Sequence, residues 1–342
     1  MTYGFGLIGC GGIAPVHANA IGQVPNAKLL AVCDLVQEKA DAFAEKYGAG
    51  PYLDYRELLA RDDIHAVNIV TWSGTHADIG MDAARAGKHV IITKPMDINL
   101  DKIDRLIATC RECGVKLGAT HQFRSYDCYR RLKRAIDEGR LGRLFLGNAF
   151  VKWWRGQEYY DSADWRGTWA LDGGGALMNQ SVHWVDILQW LMGPAKSVSA
   201  YTRTADHRIE VEDLASAAVE FENGAIGVIQ GSTCIYKGQP QRVEVHGSRG
   251  NVIVEAEKVI HWQIEGEEEA TDAGPAGETS AADPLAGLSD AGAAHVAQIQ
   301  DVLLAAEEGR EPDLNGEEAR KAVAVVLAIY ESVRTGRPAA PG

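Results

Sequence analysis

The first third of the chain alternates short apolar strands with helical stretches, and this alternation limits the fold more than any other feature of the sequence. Strands are predicted where short apolar runs occur, and helices where apolar residues recur every three or four positions. The predicted strands are residues 3–9, 27–34, 66–71, 88–93 and 115–120, and the predicted helices between them are residues 12–24, 36–48, 76–87 and 100–114. Such alternation is typical of an α/β doubly wound fold, in which crossover helices cover a parallel sheet.

The pattern changes after a predicted helix at residues 129–142. Turn pairs such as "ENGA" and "SRGN" then separate strand-like runs at residues 144–154, 195–204, 213–235, 241–256 and 258–265. A glycine-led helical insert, residues 173–193, interrupts these strands. We therefore expect a mostly antiparallel sheet in the second part of the chain.

The length of the chain favours two domains, because 342 residues exceed what one hydrophobic core usually holds. We predict a dinucleotide-binding domain at residues 1–122 and an α+β domain at residues 123–342. An acidic stretch at residues 265–290, rich in Gly, Ala, Ser and Pro, is predicted to be a mobile surface loop. Two helices at residues 294–309 and 316–336 close the chain and could pack back on the first domain.

The charge balance argues against polyanionic partners. The chain has 47 acidic and 34 basic residues, so it repels nucleic acid and anionic membrane surfaces at long range. The N-terminus has no basic region, and glycines interrupt its apolar run, so we expect neither a signal peptide nor a membrane span. We therefore expect a cytoplasmic location.

The six cysteines are expected to be thiols. Cys110 and Cys113 are better explained as neighbours on a helix than as a zinc or redox site, and no metal is expected.

A glycine motif stands between the first predicted strand and helix. Gly9, Gly11 and Ala14 form a G-x-G-x-x-A pattern, which gives a sharp turn, close approach of a pyrophosphate, and tight packing of helix on strand. Asp34 ends the next strand, 20 residues after Ala14, where a carboxylate can bind ribose hydroxyls and repel a 2′-phosphate. The pattern therefore predicts NAD rather than NADP, with Gly12 and Ile13 completing the turn. The alternative for Asp34 is an ordinary capping or loop carboxylate.

With these segments the chain resembles the Gfo/Idh/MocA family, named for glucose-fructose oxidoreductase and inositol dehydrogenase. "GLIGCGGIA", "VNIVTWSGTHADIGMDAARAGKHVIITKP", "GGGALMNQSVHWVDILQWLMG" and "GEEARKAVAVVLAIYESVRTGRP" follow the family in order and cover nearly the whole chain. The resemblance implies an N-terminal Rossmann domain, an open-faced C-terminal sheet, and homodimers or homotetramers packed through that sheet. It also implies a nicotinamide cofactor and a sugar or polyol substrate.

The family's Glu-Lys-Pro signature reads Thr93-Lys94-Pro95 here, so Thr replaces Glu. Lys94 follows a predicted buried strand at the edge of the sheet where ligands bind in such folds. An ammonium there can hydrogen-bond the reacting hydroxyl and stabilise developing alkoxide charge. By itself, a lysine before a proline is more often a solvated surface residue. The resemblance favours the catalytic role and implies that Pro95 shapes the turn.

The glycine-led insert is expected to carry the acid–base group. Family members commonly have Asp-x-x-x-His, and this chain has Asn179 and His183 at that spacing, which puts both side chains on one helix face. His183 can take a hydroxyl proton as hydride leaves, although a histidine satisfied within a helix interface is the alternative. An amide offers no negative charge to an imidazolium, so we expect a weaker base. Asn at this position also resembles UDP-sugar 3-dehydrogenases, which suggests reaction at a sugar C3. Asp186 is expected to be a helix-face partner.

Further residues are expected to complete the two halves of the site. On the cofactor side these are Thr71, Ser73, His76, Lys94, Pro95 and Gln122. On the substrate side, aromatic faces and cationic groups suited to sugars are dense in "KWWRGQEYYDSADWRG". The predicted substrate residues are Arg124, Lys152, Trp154, Arg155, Tyr159, Tyr160, Trp165, Arg166, Asn179 and His183. The alternative for this run is a sheet face packed in a subunit interface.

Three functions remain open at this point. The leading hypothesis is a reversible NAD-dependent dehydrogenase of a ring carbinol, with Lys94, His183 and Asn179 as catalytic residues. The second is a redox-neutral enzyme that keeps NAD bound and cleaves or epimerises a sugar. The third is a dinucleotide sensor without catalysis, which the pairing of Lys94 with His183 argues against.

Overall fold

The computed structural model describes residues 2–268, 271 and 288–342. By backbone contacts the chain divides into two compact units, Met1–Gln122 with Gly287–Arg320, and Phe123–Ala286 with Lys321–Gly342. Most of the acidic stretch predicted as a surface loop lies outside the described residues. None of the helices within the described ranges has the length and hydropathy needed to cross a bilayer.

The first unit contains a six-stranded parallel sheet with the strand order β3-β2-β1-β4-β5-β6. Its strands are β1 (Tyr3–Ile8), β2 (Ala27–Cys33), β3 (Gly50–Tyr52), β4 (Ala66–Ile69), β5 (His89–Thr93) and β6 (Leu117–Thr120). The helices between them are α1 (Ala14–Ile21), α2 (Gln37–Tyr47), α3 (Tyr55–Leu59), α4 (His76–Arg85) and α5 (Leu100–Glu112), with a 3-10 turn at Ser73–Thr75. The predicted doubly wound fold is confirmed. The sequence analysis did not predict β3 and α3, because three strand residues that include Pro51 show no periodicity.

The second unit contains a seven-stranded mixed sheet with the order β13-β12-β11-β7-β10-β9-β8. Its strands are β7 (Leu144–Lys152), β8 (Ala195–Arg203), β9 (Leu214–Phe221), β10 (Ile226–Ser232), β11 (Arg242–Gly247), β12 (Gly250–Glu255) and β13 (Lys258–Ile264). Strand β10 runs parallel to β7, and the pairs β7–β11, β11–β12, β12–β13, β8–β9 and β9–β10 are antiparallel. The predicted mostly antiparallel sheet is confirmed.

Helices cover one face of this second sheet. They are α6 (Asp127–Asp137), α8 (Val182–Met192) and a π-helix at Ala176–Ser181, while the short α7 (Gln157–Asp161) lies in the connection after β7. Gly147 allows α8 to approach closely, since a Cβ atom there would lie 2.5 Å from Sδ of Met192. The residues that alternate with Gly147 along β7, and their neighbours across the sheet, form the opposite face. Apolar members of this face are Leu146, Phe150, Val228, Ile226 and Tyr201, of which Ile226 and Tyr201 are 60% and 77% exposed.

Two long helices close the chain. Helix α9 (Leu288–Glu308) belongs to the first unit, where it packs on α1, and α10 (Gly316–Thr335) lies mostly in the second unit. Small residues on α1 allow this close packing, because Ala14 and Ala18 are buried against a core that includes Ile299 and Val302. Burial of such apolar surface supplies most of the stability of the unit.

Candidate active site

The glycine turn after β1 leaves room beside the start of α1. Gly9 has φ of +101°, and a Cβ atom there would lie 2.7 Å from the carbonyl oxygen of Val70, so only glycine fits. A Cβ atom at Gly11 or Gly12 would meet no heavy atom within 4 Å. No side chain caps α1 at Ile13 within the described structure, but Ala14 and Val16 donate their N–H groups to the carbonyl oxygens of Gly11 and Ile13 and Pro15 has none, so an anion would be bound by the backbone of the turn before the helix. The turn therefore fits a dinucleotide pyrophosphate.

Asp34 lies directly after β2, beside this turn. Its two carboxylate oxygens accept hydrogen bonds from the backbone N–H groups of Cys10 and Val36, each at 2.9 Å. These bonds fix the position of the Asp34 carboxylate at the edge of the turn. A carboxylate has about four acceptor positions, so ribose hydroxyls can still bind to it.

Lys94 and Pro95 follow β5 and are joined by a cis peptide bond. The imidazole of His76 lies next to them, with Nδ1 2.8 Å from the carbonyl oxygen of Pro95 and Nε2 3.0 Å from that of Thr71. Burial lowers the pKa of His76, so its neutral form donates to one of the two carbonyl groups at a time. His76 was predicted to line the dinucleotide, and the structure places it 1% exposed, as a link between two loops of the site.

Asp97 is a further residue of this region that the sequence analysis missed. Its fully buried carboxylate accepts hydrogen bonds from the backbone N–H groups of Ala77, Ile98 and Asn99. Burial raises its pKa, and the backbone hydrogen bonds oppose that rise. Asp97 thus ties the segment after Pro95 to the start of α4. The Asp-x-Asn sequence after the proline is a turn signal that could have indicated this role.

Asn179 and His183 lie in the second unit, where the π-helix Ala176–Ser181 continues into α8. The ring of His183 is 7% exposed and meets the edge of Phe123, with 5.0 Å between centroids. The amide nitrogen of Asn179 donates a hydrogen bond to Oδ1 of Asp172, and its Oδ1 accepts one of 2.9 Å from Nε2 of Gln180. Neither Asp172 nor Gln180 was among the predicted site residues.

Part of the predicted substrate cluster gathers around Gln180. Arg155 donates to Oε1 of Gln180 at 2.9 Å, and Gln180 donates to the hydroxyl of Tyr159 at 2.9 Å. Arg166 donates to the same hydroxyl at 2.6 Å, and its guanidinium lies 4.3 Å from the centre of the Tyr159 ring. The structure therefore brings together two cations, one phenol and two amides. Trp165 lies beside them, 4.7 Å from the guanidinium of Arg166.

Four other predicted substrate residues have different surroundings. Arg124 forms a buried two-pronged ion pair with Asp186, at 2.8 and 2.7 Å, as expected for Asp186 as a helix-face partner. The hydroxyl of the buried Tyr160 lies 2.7 Å from that of Thr233. Lys152 lies over the ring of Phe150, on the sheet face opposite α8, and Trp154 is 40% exposed and contacts Tyr236.

The backbone of Arg155 is held by a buried pair that the sequence analysis also missed. Nε2 of His207 lies 2.7 Å from the carbonyl oxygen of Arg155, and Nδ1 lies 2.9 Å from Oδ2 of Asp213. Burial alone would raise the pKa of Asp213, but backbone N–H groups, including that of His207, and the His207 ring outweigh burial and lower it. No local sequence pattern indicates this pair.

Glu212 supports the glycine segment that leads into the π-helix. This 3% exposed carboxylate accepts hydrogen bonds from the N–H groups of Gly175 (3.1 Å) and Leu177 (2.8 Å) and from the hydroxyl of Tyr330 (2.9 Å). Burial raises its pKa to about 7. A Cβ atom at Gly175 would lie 2.0 Å from the carbonyl oxygen of Glu212, so the two backbones approach too closely for any side chain there.

Comparisons with known proteins agree with this architecture. The "Oxidoreductase family, NAD-binding Rossmann fold" matches residues 3–121, and the "GFO/IDH/MocA C-terminal domain" matches residues 129–253. The WlbA dehydrogenase from Bordetella pertussis, solved in complex with NADH and UDP-GlcNAcA, is 33% identical, with a TM-score of 0.88 and 99% of each chain covered.

Two further relatives are similar along most of their length. Inositol 2-dehydrogenase of Rhizobium meliloti (strain 1021) is 28% identical over 98% of both chains. D-apiose dehydrogenase of Paraburkholderia graminis is 28% identical over 97% of this chain and 88% of its own. The chain therefore belongs to the GFO/IDH/MocA family and is an NAD(H)-dependent oxidoreductase that acts on CH–OH groups of sugars or polyols.

Proposed function

We propose that this enzyme transfers a hydride at a ring carbinol of a nucleotide-linked sugar that carries an acidic group. The observation that supports this substrate class is the pair of guanidinium groups, Arg155 and Arg166, held around Tyr159 and Gln180. Two guanidinium groups suit a carboxylate or phosphate, and a neutral cyclitol needs neither. The relative solved with UDP-GlcNAcA, at 33% identity over 99% of both chains, points to the same class.

The turn at Gly9, Gly11, Gly12 and Ile13, with Ala14 behind it, is proposed to hold the pyrophosphate of NAD, and Asp34 its adenosine ribose. Thr71, Ser73, His76, Pro95 and Gln122 are proposed to shape the rest of the cofactor site, with His76 acting through the backbone of Pro95. When bound, NAD+ supplies the hydride acceptor.

Lys94 is proposed to bind the oxygen of the reacting carbinol. Its ammonium would stabilise the negative charge that develops on that oxygen as the C–H bond breaks. The turn around it is rigid, because His76 and Asp97 hold its backbone from α4. A fixed donor needs little reorganisation during the reaction, and this increases its effect on the rate.

His183 is proposed to take the hydroxyl proton while the carbinol becomes a ketone. In the reverse direction, the imidazolium returns that proton to the oxygen of the ketone. Asn179 is proposed to position the hydroxyl or the imidazole beside it. Arg155, Tyr159 and Arg166 would bind the acidic group of the substrate, with Trp165 packing against the sugar ring.

The second unit is also proposed to form a homodimer or homotetramer through the sheet face that carries Phe150, Val228 and Ile226. Ile226 is 60% exposed at the start of β10, an inner strand of the sheet, and such an exposed apolar side chain favours contact with a second copy. Light scattering of the Ile226→Glu variant, compared with the wild type, tests this proposal.

The proposed location is the cytoplasm, because the cysteine spacing fits a reducing compartment.

The test of the function is hydride transfer measured by NADH absorbance. Purified enzyme is given NAD+ with UDP-GlcNAcA, myo-inositol, scyllo-inositol or D-apiose. We expect turnover with UDP-GlcNAcA, loss of turnover in Lys94→Ala with NADH binding retained, and wild-type activity in the exposed control Lys28→Ala. Turnover with the neutral compounds alone would overturn the proposed substrate class.

A further inference from the structure

Asp172 is a buried carboxylate that contacts Asn179. It is 2% exposed, stands directly before the three glycines that lead into the π-helix, and accepts a hydrogen bond of 2.9 Å from the backbone N–H of Gly167 through Oδ2. Its Oδ1 accepts a hydrogen bond from the amide nitrogen of Asn179. One carboxylate thus joins the connection after α7 to the helix that carries His183.

The hydrogen bonds around Asn179 run in one direction. Asp172 can only accept when ionised, so it faces the NH2 group of Asn179, and Oδ1 of Asn179 then accepts from Gln180. At the other end, Arg155 can only donate, so Oε1 of Gln180 faces Arg155. Because each end of the chain allows one role, the orientation of both amides is determined.

We propose that Asp172 is a positioning residue for the reaction, which fixes the Asn179 amide and supplies the negative charge that Asn179 itself lacks. The inference rests on the proposed role of His183 as the group that takes the proton. His183 follows Asn179 by four residues, which is a rise of roughly 6 Å along a helix. A buried carboxylate bonded to Asn179 favours the imidazolium that forms on His183 during oxidation.

Three tyrosines share electrostatic interactions with Asp172 in the second unit, namely Tyr159, Tyr160 and Tyr330. Arg155 and Arg166 oppose the charge of Asp172 at Tyr159, because both cations lower the pKa of that phenol while Asp172 raises it. Burial is the largest influence on all three tyrosines and raises each pKa. Besides Asp172, the charged groups that act on these tyrosines are Arg155 and Arg166 at Tyr159, Asp213 at Tyr160 and Glu212 at Tyr330.

The test exchanges the two side chains. Asp172→Asn removes the charge, Asn179→Asp places two carboxylates in contact, and the double variant Asp172→Asn/Asn179→Asp restores one carboxylate and one amide. With UDP-GlcNAcA and NAD+, each single variant should lower kcat by roughly 10- to 100-fold, a usual share of acid–base catalysis, with KM for NAD+ changed less than about threefold. The double variant should recover at least about tenfold over either single variant. The exposed control Asp62→Asn should match the wild type.

The pH dependence of kcat separates positioning from folding. Asp172→Asn should move the midpoint assigned to His183 to lower pH, because an imidazolium without a nearby negative charge loses its proton more readily. The exchange variant should move it back. An Asp172→Asn variant with wild-type kcat and midpoint overturns this inference while leaving the proposed function standing. If the single variants misfold, the exchange variant provides the test. An exchange variant that folds but stays as inactive as the single variants also overturns this inference. A wild-type enzyme that oxidises none of the sugar probes overturns the proposed function, and this inference with it.

Discussion

The hydroxyl of Tyr330 donates a hydrogen bond of 2.9 Å to Oε1 of Glu212, which also accepts the N–H of Leu177 at the start of the π-helix. This contact links α10 to the glycine segment that presents Asn179. Because Glu212 is 3% exposed and its pKa is raised to about 7 by burial, its protonation state changes within the neutral range.

The stability of the wild-type protein should therefore depend on Glu212 between pH 4.5 and 7. The folded-state pKa lies above the unfolded value, so the stabilising contribution is complete below about 4.5 and is lost as pH rises through about 7. From pH 5 to 7.5 this loss amounts to roughly 2–3 kcal/mol in the free energy of unfolding. Urea unfolding of Glu212→Gln should lack this loss, whereas the exposed control Glu45→Gln should keep it. The prediction would be contradicted if the free energy of unfolding changed with pH in the same way in the wild type and in Glu212→Gln.

A methyl group should have different effects at Gly9 and Gly11 of the turn. Gly9→Ala places Cβ 2.7 Å from the carbonyl oxygen of Val70 at a positive φ, so it should lower stability by about 1–3 kcal/mol. Gly11→Ala meets no atom of the chain, so it should keep its thermal midpoint and weaken NADH binding by roughly tenfold or more, about 1.4 kcal/mol. Calorimetry and NADH fluorescence titration measure both effects. Tight NADH binding by Gly11→Ala would show that the pyrophosphate lies elsewhere.

Arg124 should contribute to stability rather than to substrate binding. Arg124→Ala removes the guanidinium that now binds both oxygens of the 1% exposed Asp186 carboxylate. The free energy of unfolding should therefore fall by about 3–5 kcal/mol. Arg166→Ala, in contrast, should leave the thermal midpoint within a few degrees and raise KM for UDP-GlcNAcA by roughly 10- to 100-fold, since it removes one charge-assisted contact. An Arg124→Ala variant with wild-type stability and a raised KM would reverse this assignment.

His17 should make the first unit sensitive to acid. Its fully buried ring lies 3.0 Å from the amide nitrogen of Asn68 and near His295, and burial lowers its pKa well below 6.5. His295 and His76 lower that pKa further. The unfolded chain binds a proton on His17 below about pH 6.5 and the folded chain does not, so stability falls as pH falls through that value.

The comparison for His17 uses thermal midpoints at pH 7.5 and 5.5. His17→Gln should have a smaller difference between the two midpoints than the wild type, although it is less stable at pH 7.5. The control His261→Gln alters a partly exposed histidine and should keep the wild-type difference. Equal pH sensitivity in wild type and His17→Gln would exclude His17 as the cause.

Local patterns were sufficient to predict the two sheets, the glycine turn and the position of Lys94 after a buried strand. Each of these depends on residues that are close together along the chain. Asp172, Glu212 and Asp213 were not predicted, because their roles depend on backbone N–H groups and side chains that the fold brings together from separate segments. A buried carboxylate has the same local sequence signature as an exposed one.

The fates of the predicted substrate residues differ for a similar reason. Arg155 and Arg166 both contact the side chain of Tyr159. Arg124, which also lies near aromatic residues, forms an ion pair with Asp186, 62 residues away along the chain. Composition identifies where cations are dense, but only packing decides which of them meet a carboxylate of the chain itself.

The π-helix Ala176–Ser181 has a consequence for how tolerant this enzyme is of changes in chain length. A π-turn contains about one residue more than an α-turn, so deletion of a single residue there would convert it to regular α-helix while the segments on either side kept nearly the same rotation about the helix axis. The residues inside the turn, Asn179 among them, would shift relative to His183, while the hydrophobic packing of α8 itself stayed intact. The segment is thus a point where loss of one residue can uncouple catalysis from folding.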